Sequence, residues 1–299
     1  MKIIRSEILG FCMGVQRAVE RAEELVDAKA SGRTAGGGIY TLGELIHNPL
    51  VLEKLGNKGV KILSENEIPP ENSTVIIRAH GVSPQIENLL RDRGIKVIDT
   101  TCPHVKANQR TARELSNNGL LIFLAGEKNH AELSGIKAHL EDVSGNAGCI
   151  ITGNKTEAEN AAEKLFKKDK NMKTALIGQT TINPEEYQNI GRAIKNYFPD
   201  LKIVDTICRA TEDRQNALRV LCEKAEAVLI IGGKNSANTR ELFHLAESME
   251  KPSWLIESPE EIPHEICSYS IIGLAAGAST PASLIDDVEN AAIHIKKKL

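Results

Sequence analysis

Three cysteines stand where metal binding or nucleophilic chemistry would be placed. Cys12, Cys102 and Cys208 each end an extended stretch and open a helical one, in Leu9-Gly10-Phe11-Cys12, Asp99-Thr100-Thr101-Cys102-Pro103 and Asp205-Thr206-Ile207-Cys208-Arg209. A helix N-terminus favours thiolate over thiol, and thiolate is the form that ligates a metal. The last two segments share Asp-Thr-x-Cys and a glutamine seven residues beyond the cysteine, at Gln109 and Gln215. A single cysteine is more often a small buried hydrophobe, but three matching junctions outweigh that reading. Cys149, Cys222 and Cys267 have no such setting and are expected to be core or incidental. Two centres suit three thiolates. A structural zinc would take a fourth ligand such as histidine. An iron-sulfur cluster, which normally takes four cysteines, would keep one iron open to a substrate oxygen.

The surrounding loops favour the second centre. Four segments carry neutral hydrogen-bonding groups after a strand or near a turn: Ile46-His47-Asn48-Pro49, Arg78-Ala79-His80-Gly81-Val82-Ser83-Pro84, Gly232-Gly233-Lys234-Asn235-Ser236-Ala237-Asn238-Thr239 and Ala276-Gly277-Ala278-Ser279-Thr280-Pro281. Pro84 and Pro281 suit the first position of a helix, which would aim free backbone N–H groups at an anion. Each Ser, Thr or Asn alone is more often an N-cap; their convergence on strand ends raises the functional reading. Gly233-Lys234 is no P-loop, because Val228 stands where the first glycine belongs and Asn235 where Ser or Thr does. His104, His139, His244, His264 and His294 lack this context. The Gly36-Gly37-Gly38 run is read as a flexible turn. A further loop, Gly126-Glu127-Lys128-Asn129-His130-Ala131-Glu132, offers acid chemistry with Gly178-Gln179-Thr180-Thr181. In a water-poor pocket Glu132 would hold a proton near neutrality and a Thr hydroxyl would orient it; alternatively Glu132 is an ordinary first-turn helix carboxylate. Spacing leaves these two readings even.

These residues need a scaffold of strands feeding helices. Short apolar runs at Val75 to Ile77, Leu120 to Leu124, Thr174 to Ile177, Val228 to Ile231 and Ile271 to Leu274 end in Gly, Ser, Thr or Asn before helical periodicity. That pattern predicts an α/β fold with mainly parallel sheets, whose ligands sit beyond the strand C-termini. Helices are expected through Val15 to Leu25, Val105 to Leu115 and Ala217 to Ala225. The cysteine spacings suggest a threefold repeat of α/β units, 1–101, 102–205 and 206–299, each giving one cysteine to a common centre. The 299 residues are 41% apolar, 26% charged and 3% aromatic, with a net charge of -3. That composition implies a globular chain of more than one domain and argues against nucleic-acid binding, for want of both a basic surface and stacking aromatics. No apolar run approaches membrane-spanning length and charge appears within the first seven residues, so a cytoplasmic protein without a membrane anchor is expected.

With Gly-Phe-Cys-x-Gly-Val, His-Asn, Ala-His-Gly-Val-Ser, Thr-Cys-Pro, His-x-Glu, Gln-Thr-Thr, Ile-Cys-x-Ala-Thr and Asn-Ser-x-Asn in order along it, the whole chain resembles the 4-hydroxy-3-methylbut-2-enyl diphosphate reductases. The resemblance implies three pseudo-symmetric α/β domains around one [4Fe-4S] cluster held by Cys12, Cys102 and Cys208, its fourth iron open to the substrate's C4 hydroxyl. It also implies that His47, His80, His130, Thr180, Ser236, Ala237, Asn238 and Ser279 line the site of an allylic diphosphate, while Glu132, with Thr180 and His130, supplies protons. Reduced ferredoxin or flavodoxin would be the donor, the products would be isopentenyl and dimethylallyl diphosphate, and the chain would be a monomer or weak homodimer. One departure is Ala237, where the family usually has a second serine. Its backbone N–H remains, and one neutral hydrogen bond is worth about 0.5–1.5 kcal/mol, so weaker binding rather than lost function is expected. Outside the resemblance, a cluster-dependent dehydratase and a non-enzymatic redox or binding protein are the competing readings.

Overall fold

The computed structural model describes residues 1–32, 37–64, 67–141 and 148–295. The chain begins β1 (Lys2–Arg5), α1 (Met13–Ala30), β2 (Ile39–Leu42), α2 (Pro49–Asn57), β3 (Val60–Leu63) and β4 (Thr74–Ile77). It continues α3 (Pro84–Asp92), β5 (Lys96–Asp99), α4 (Pro103–Asn117), β6 (Leu121–Ala125), α5 (Ala131–Glu141), β7 (Cys149–Thr152) and α6 (Lys155–Lys168). Then follow β8 (Thr174–Gly178), α7 (Pro184–Lys195), β9 (Lys202–Ile203), α8 (Arg209–Lys224) and β10 (Ala227–Ile231). The chain ends α9 (Ala237–Ser248), β11 (Ser253–Ile256), β12 (Ile271–Ala276) and α10 (Ala282–Ile295). Three four-stranded sheets result, ordered β1-β12-β10-β11, β3-β2-β4-β5 and β7-β6-β8-β9. Helices follow most strands, so parallel neighbours are reached mainly through helical crossovers; among the described residues no α-helix separates β3 from β4 or β11 from β12. Gly36, the first residue of the expected glycine turn, lies outside the described residues.

Two compact units emerge. Unit 1 is Met1–Thr34, Glu44–Ile62 and Arg209–Leu299; unit 2 is Ala35–Gly43 and Leu63–Cys208. In unit 1, β10 lies between β12 and β11, parallel to both, with Leu229 opposite Leu274 and Trp254. Its side chains alternate between two apolar layers, which is why it reads as an unbroken hydrophobic run. Leu229 and Ile231 pack with Leu284, Ile285 and Val288 of α10. Val228 and Ile230 pack with Leu218 and Leu221 of α8 and Leu242 and Leu245 of α9. The N-terminal strand β1 completes this sheet beside β12, Ile3 opposite Ile272.

Unit 2 repeats the scheme. On β6, Phe123 packs with Leu165 of α6 and with Ile190 and Ile194 of α7, while Ile122 and Leu124 pack with Leu115 of α4 and with Leu133 and Ile136 of α5. In the other sheet of unit 2, Val75 of β4 packs with Tyr40, Leu42, Leu90 and Ile95. Truncating a side chain such as the fully buried Phe123 to alanine should cost about 3–5 kcal/mol. Among the described residues, no helix is long and apolar enough to cross a membrane.

Candidate active site

In unit 2 the neighbouring strands β6 and β8, in register at Ala125 and Gly178, release their following loops side by side. Gln179 locks those loops together: its N–H donates to Ala125 O at 2.7 Å, its Oε1 accepts from Glu127 N at 3.0 Å, and its Nε2 donates to Thr181 Oγ1 at 2.9 Å. This brings Glu132, in the first turn of α5, against Thr180. Thr180 N donates to Glu132 Oε1 at 2.9 Å and Thr180 Oγ1 to Oε2 at 2.7 Å. Glu132 is only 1% exposed. Burial pushes its carboxyl up to about 7 from 4.5, against the opposing effect of the two bonds from Thr180. Glu132 is thus a first-turn helix residue whose carboxyl is also held buried, and burial favours its protonated form. Glu132 N donates to His130 Nδ1 at 3.2 Å, so in the neutral ring the proton sits on Nε2. The His130 ring meets His80 edge to face, centroids 5.1 Å apart.

The same loops reach two of the cysteines. Cys208 N donates to Thr180 O at 3.0 Å, and Cys102 N donates to Ala79 O, the residue before His80, at 2.9 Å. Asn108 Nδ2 on α4 donates to Thr206 O at 3.3 Å, joining the helix that starts after Cys102 to the segment before Cys208. Cys102 is the N-cap residue of α4, and Cys208 immediately precedes α8.

Unit 1 gathers the remaining candidates at the C-terminal ends of β10 and β12. Cys12 is the N-cap residue of α1 and its N–H donates to Ala278 O at 3.0 Å. Ser236 caps α9, accepting from Thr239 N at 3.4 Å. Asn238 Oδ1 accepts from Ala278 N at 3.0 Å, while its Nδ2, in a residue 5% exposed, has no partner among the described residues. Ser279 Oγ donates to the His47 carbonyl at 3.0 Å. The His47 segment passes so close to Gly233 that a Cβ there would overlap the same carbonyl, a close approach only glycine permits. Asn48 caps α2 by accepting from Val51 N at 3.1 Å, and His47 Nδ1 pairs with Glu44 Oε2 at 2.9 Å. Ala237, with no hydroxyl, opens α9 and is buried. Ser236, Asn238 and Ser279 thus lie at the strand ends of unit 1, with the His47 backbone tied to Ser279 through its carbonyl; hydroxyls, amides and a helix N-terminus are groups that suit phosphate oxygens.

The profile of the family described as LytB protein matches residues 3–292. The chain belongs to this family. A LytB relative from Treponema denticola named 4-hydroxy-3-methylbut-2-enyl diphosphate reductase is 45% identical over 97% of this chain and 98% of its own length. A reductase of the same name from Aquifex aeolicus is 38% identical over 96% of this chain and 94% of its own length. Among solved structures, the E-1-hydroxy-2-methyl-but-2-enyl-4-diphosphate reductase of Plasmodium falciparum has a TM-score of 0.86 at 26% identity, covering 97% of this chain and 87% of that one. A second, described as the terminal enzyme of the non-mevalonate pathway, has a TM-score of 0.69 at 36% identity, covering 98% of this chain and 99% of that one.

Within this LytB chain, each of the three junction cysteines offers a thiol, which as thiolate is a donor that a soft metal centre takes. None of the six cysteines is in a disulfide, and neither Cys12 nor Cys102 uses its side chain to cap its own helix. Cys222 is core, packed with Leu218 and Val228, and burial pushes its thiol up, as it does that of Cys149. Helix α3 begins at Pro84 as expected; α10 begins one residue after Pro281, because the carbonyl of Pro281 already accepts the first helical bonds. Three contributors escape the sequence reading. Glu44 is signalled only by its position three residues before His47. Gln179 lies in a candidate loop, but nothing in its type marks it as the residue that locks two loops together. Arg214, six residues past Cys208, reads as one more helical cation, yet it is only 3% exposed.

Proposed function

We propose that this chain reductively dehydroxylates (E)-4-hydroxy-3-methylbut-2-enyl diphosphate to isopentenyl and dimethylallyl diphosphate, the last step of the methylerythritol phosphate route to isoprenoids. The C4 hydroxyl leaves as water, and the step consumes two electrons and two protons. The names of the relatives support the substrate. The observation that carries the chemistry is Glu132, a buried carboxyl brought to about 7 and held by both the N–H and the hydroxyl of Thr180. In this reading the thiolates of Cys12, Cys102 and Cys208 hold one [4Fe-4S] cluster with a fourth iron open, one cysteine coming from each of the units 1–101, 102–205 and 206–299. When bound, the cluster supplies single electrons, received from reduced ferredoxin or flavodoxin, and a Lewis-acid position for an oxygen.

The chain's own residues bind, orient and protonate. Ser236, Asn238, Ser279, the Ala237 N–H and His47 take the diphosphate oxygens, joined by His80, His130 and Thr180; an imidazole beside a diphosphate is favoured in its cationic form. Neutral Glu132 holds the reacting proton on a carboxyl oxygen. Because a hydroxyl both donates and accepts, Thr180 Oγ can reverse its bond to receive from protonated Oε2 and so keep the carboxyl aimed in either state. Burial of Glu132 keeps bulk water from supplying the proton unselectively. The cytoplasm, where low-potential carriers are available, is the compartment this chemistry suits. The test is turnover of the anaerobically reconstituted protein with and without a low-potential donor. Strict dependence on the donor, with both products formed, supports the reductase; consumption of substrate without any donor replaces it with a dehydratase.

A further inference from the structure

Among the described residues, Arg214 on α8 is a buried cation with no carboxylate partner. Its Nη1 donates to Ile8 O at 3.3 Å and to Ala276 O at 3.0 Å, and its Nη2 donates to Gly10 O at 3.0 Å. Its Nε–H has no acceptor, and no carboxylate pairs with it among the described residues. Arg5, Arg21 and Arg91, by contrast, pair with carboxylates at the exposed surface. A guanidinium taken out of water at this cost is retained only where something compensates its charge. Carbonyl dipoles do part of that. Burial works against the charged form of the guanidinium.

The three carbonyls lie in the segments on either side of Cys12. Ile8 and Gly10 belong to the loop leading from β1 into Cys12, and Gly10 turns there with a φ of +81° that disfavours other residues. Ala276 ends β12, two residues before the carbonyl that accepts from Cys12 N–H. One guanidinium therefore ties together both strand-end segments that fix the Cys12 backbone. A neutral side chain could hydrogen-bond part of this set; a full positive charge needs a negative neighbour, and a thiolate-held centre at Cys12 gains negative charge when reduced.

We propose that Arg214 is a positioning residue for the Cys12 centre, clamping the Ile8–Gly10 turn and favouring, through its enclosed charge, the reduced state of the group bound there. This rests on the reductase reading only for the redox half. At an effective dielectric of about 20, a full charge within roughly 10 Å of a redox group shifts its reduction equilibrium by about tenfold or more.

Arg214→Gln and Arg214→Lys test both halves in reconstituted holoprotein and in the metal-free chain. At the potential that half-reduces the native cluster, Arg214→Gln should show about a tenfold lower ratio of reduced to oxidised centre, with an altered electron paramagnetic resonance signal. Arg214→Lys, which keeps the charge, should stay near the native ratio, and it decides the point if the glutamine variant does not fold. In the metal-free protein, hydrogen exchange of the amides of residues 7–12 should accelerate in the glutamine variant and less in the lysine one. A native reduction equilibrium in Arg214→Gln, or an equal shift in both variants, overturns the electrostatic half; unchanged exchange at residues 7–12 overturns the clamp. If the native protein takes up no cluster, the reductase reading fails, and the exchange measurement still judges the clamp.

Discussion

Replacing Glu132 by glutamine separates the proton from the shape of the site. In Glu132→Gln the new amide would keep one carbonyl oxygen for the Thr180 N–H and offer its Nε2 to the Thr180 hydroxyl, so the two bonds of 2.9 and 2.7 Å have counterparts and the loops after β6 and β8 stay joined. What disappears is a carboxyl raised from 4.5 to about 7 by burial. The folded state holds that proton more tightly than the unfolded one. The stability it brings is complete below about 4.5 and is lost as pH rises through about 7. At about 1.36 kcal/mol per pH unit the difference amounts to about 3 kcal/mol. The non-titrating variant should therefore gain about that much relative to the native protein between pH 4.5 and 8, roughly 5 °C in the difference of melting temperatures for a chain this size. In the same preparations the native kcat should fall as pH rises through about 7, while the variant loses about 10²- to 10⁴-fold in turnover, the range for general acid catalysis, with its iron content intact. Thermal unfolding followed at several pH values, beside a pH–rate profile, reads both effects. Melting curves that stay parallel across the range, with turnover retained within a few-fold, would refute the assignment of a buried, proton-holding carboxyl.

Three other substitutions follow from the same geometry. The hydroxyl bond of Thr180 favours ionised Glu132, so Thr180→Val should move the alkaline limb of the pH–rate profile upward while lowering kcat about tenfold; a limb that moves down contradicts the bond's direction. Ala237→Ser restores a hydroxyl at the first residue of α9 and should lower KM by about two- to tenfold, the equivalent of one neutral hydrogen bond; steady-state kinetics decide it. Gly233→Ala forces a methyl into the His47 carbonyl, so KM should rise by about an order of magnitude with kcat changed much less, and an unchanged KM would detach His47 from substrate binding.

The five strands legible in the sequence, β4, β6, β8, β10 and β12, are all interior to their sheets. Buried on both faces, they keep an unbroken apolar run. Most of the strands that sequence reading missed are at sheet edges, such as β3, β7, β9 and β11, where one side faces solvent and the pattern is diluted; β9 is the two exposed residues Lys202 and Ile203. The pairing of β1 with β12 joins the two ends of the chain, a long-range contact that no local periodicity encodes. At the site, cysteines and the Ser, Asn and His loops could be read because their types announce chemistry at strand ends. The burial of Glu132 could not, since it depends on α5 folding over the loop of a strand some fifty residues away. Arg214 was hidden for a similar reason: a cation in a helix signals solvent until the carbonyls around it are known.

Loss of one hydroxyl as water draws on both electrons and protons, so the most direct measurement is electron stoichiometry. Protein purified and reconstituted without oxygen, carrying iron and sulfide near four per chain, is given a one-electron donor of low potential and the allylic diphosphate. Two electrons consumed for each molecule converted, with isopentenyl and dimethylallyl diphosphate and water as the products, is the predicted result. Conversion without electron uptake, or an intact substrate over a fully loaded and reduced centre, would contradict it.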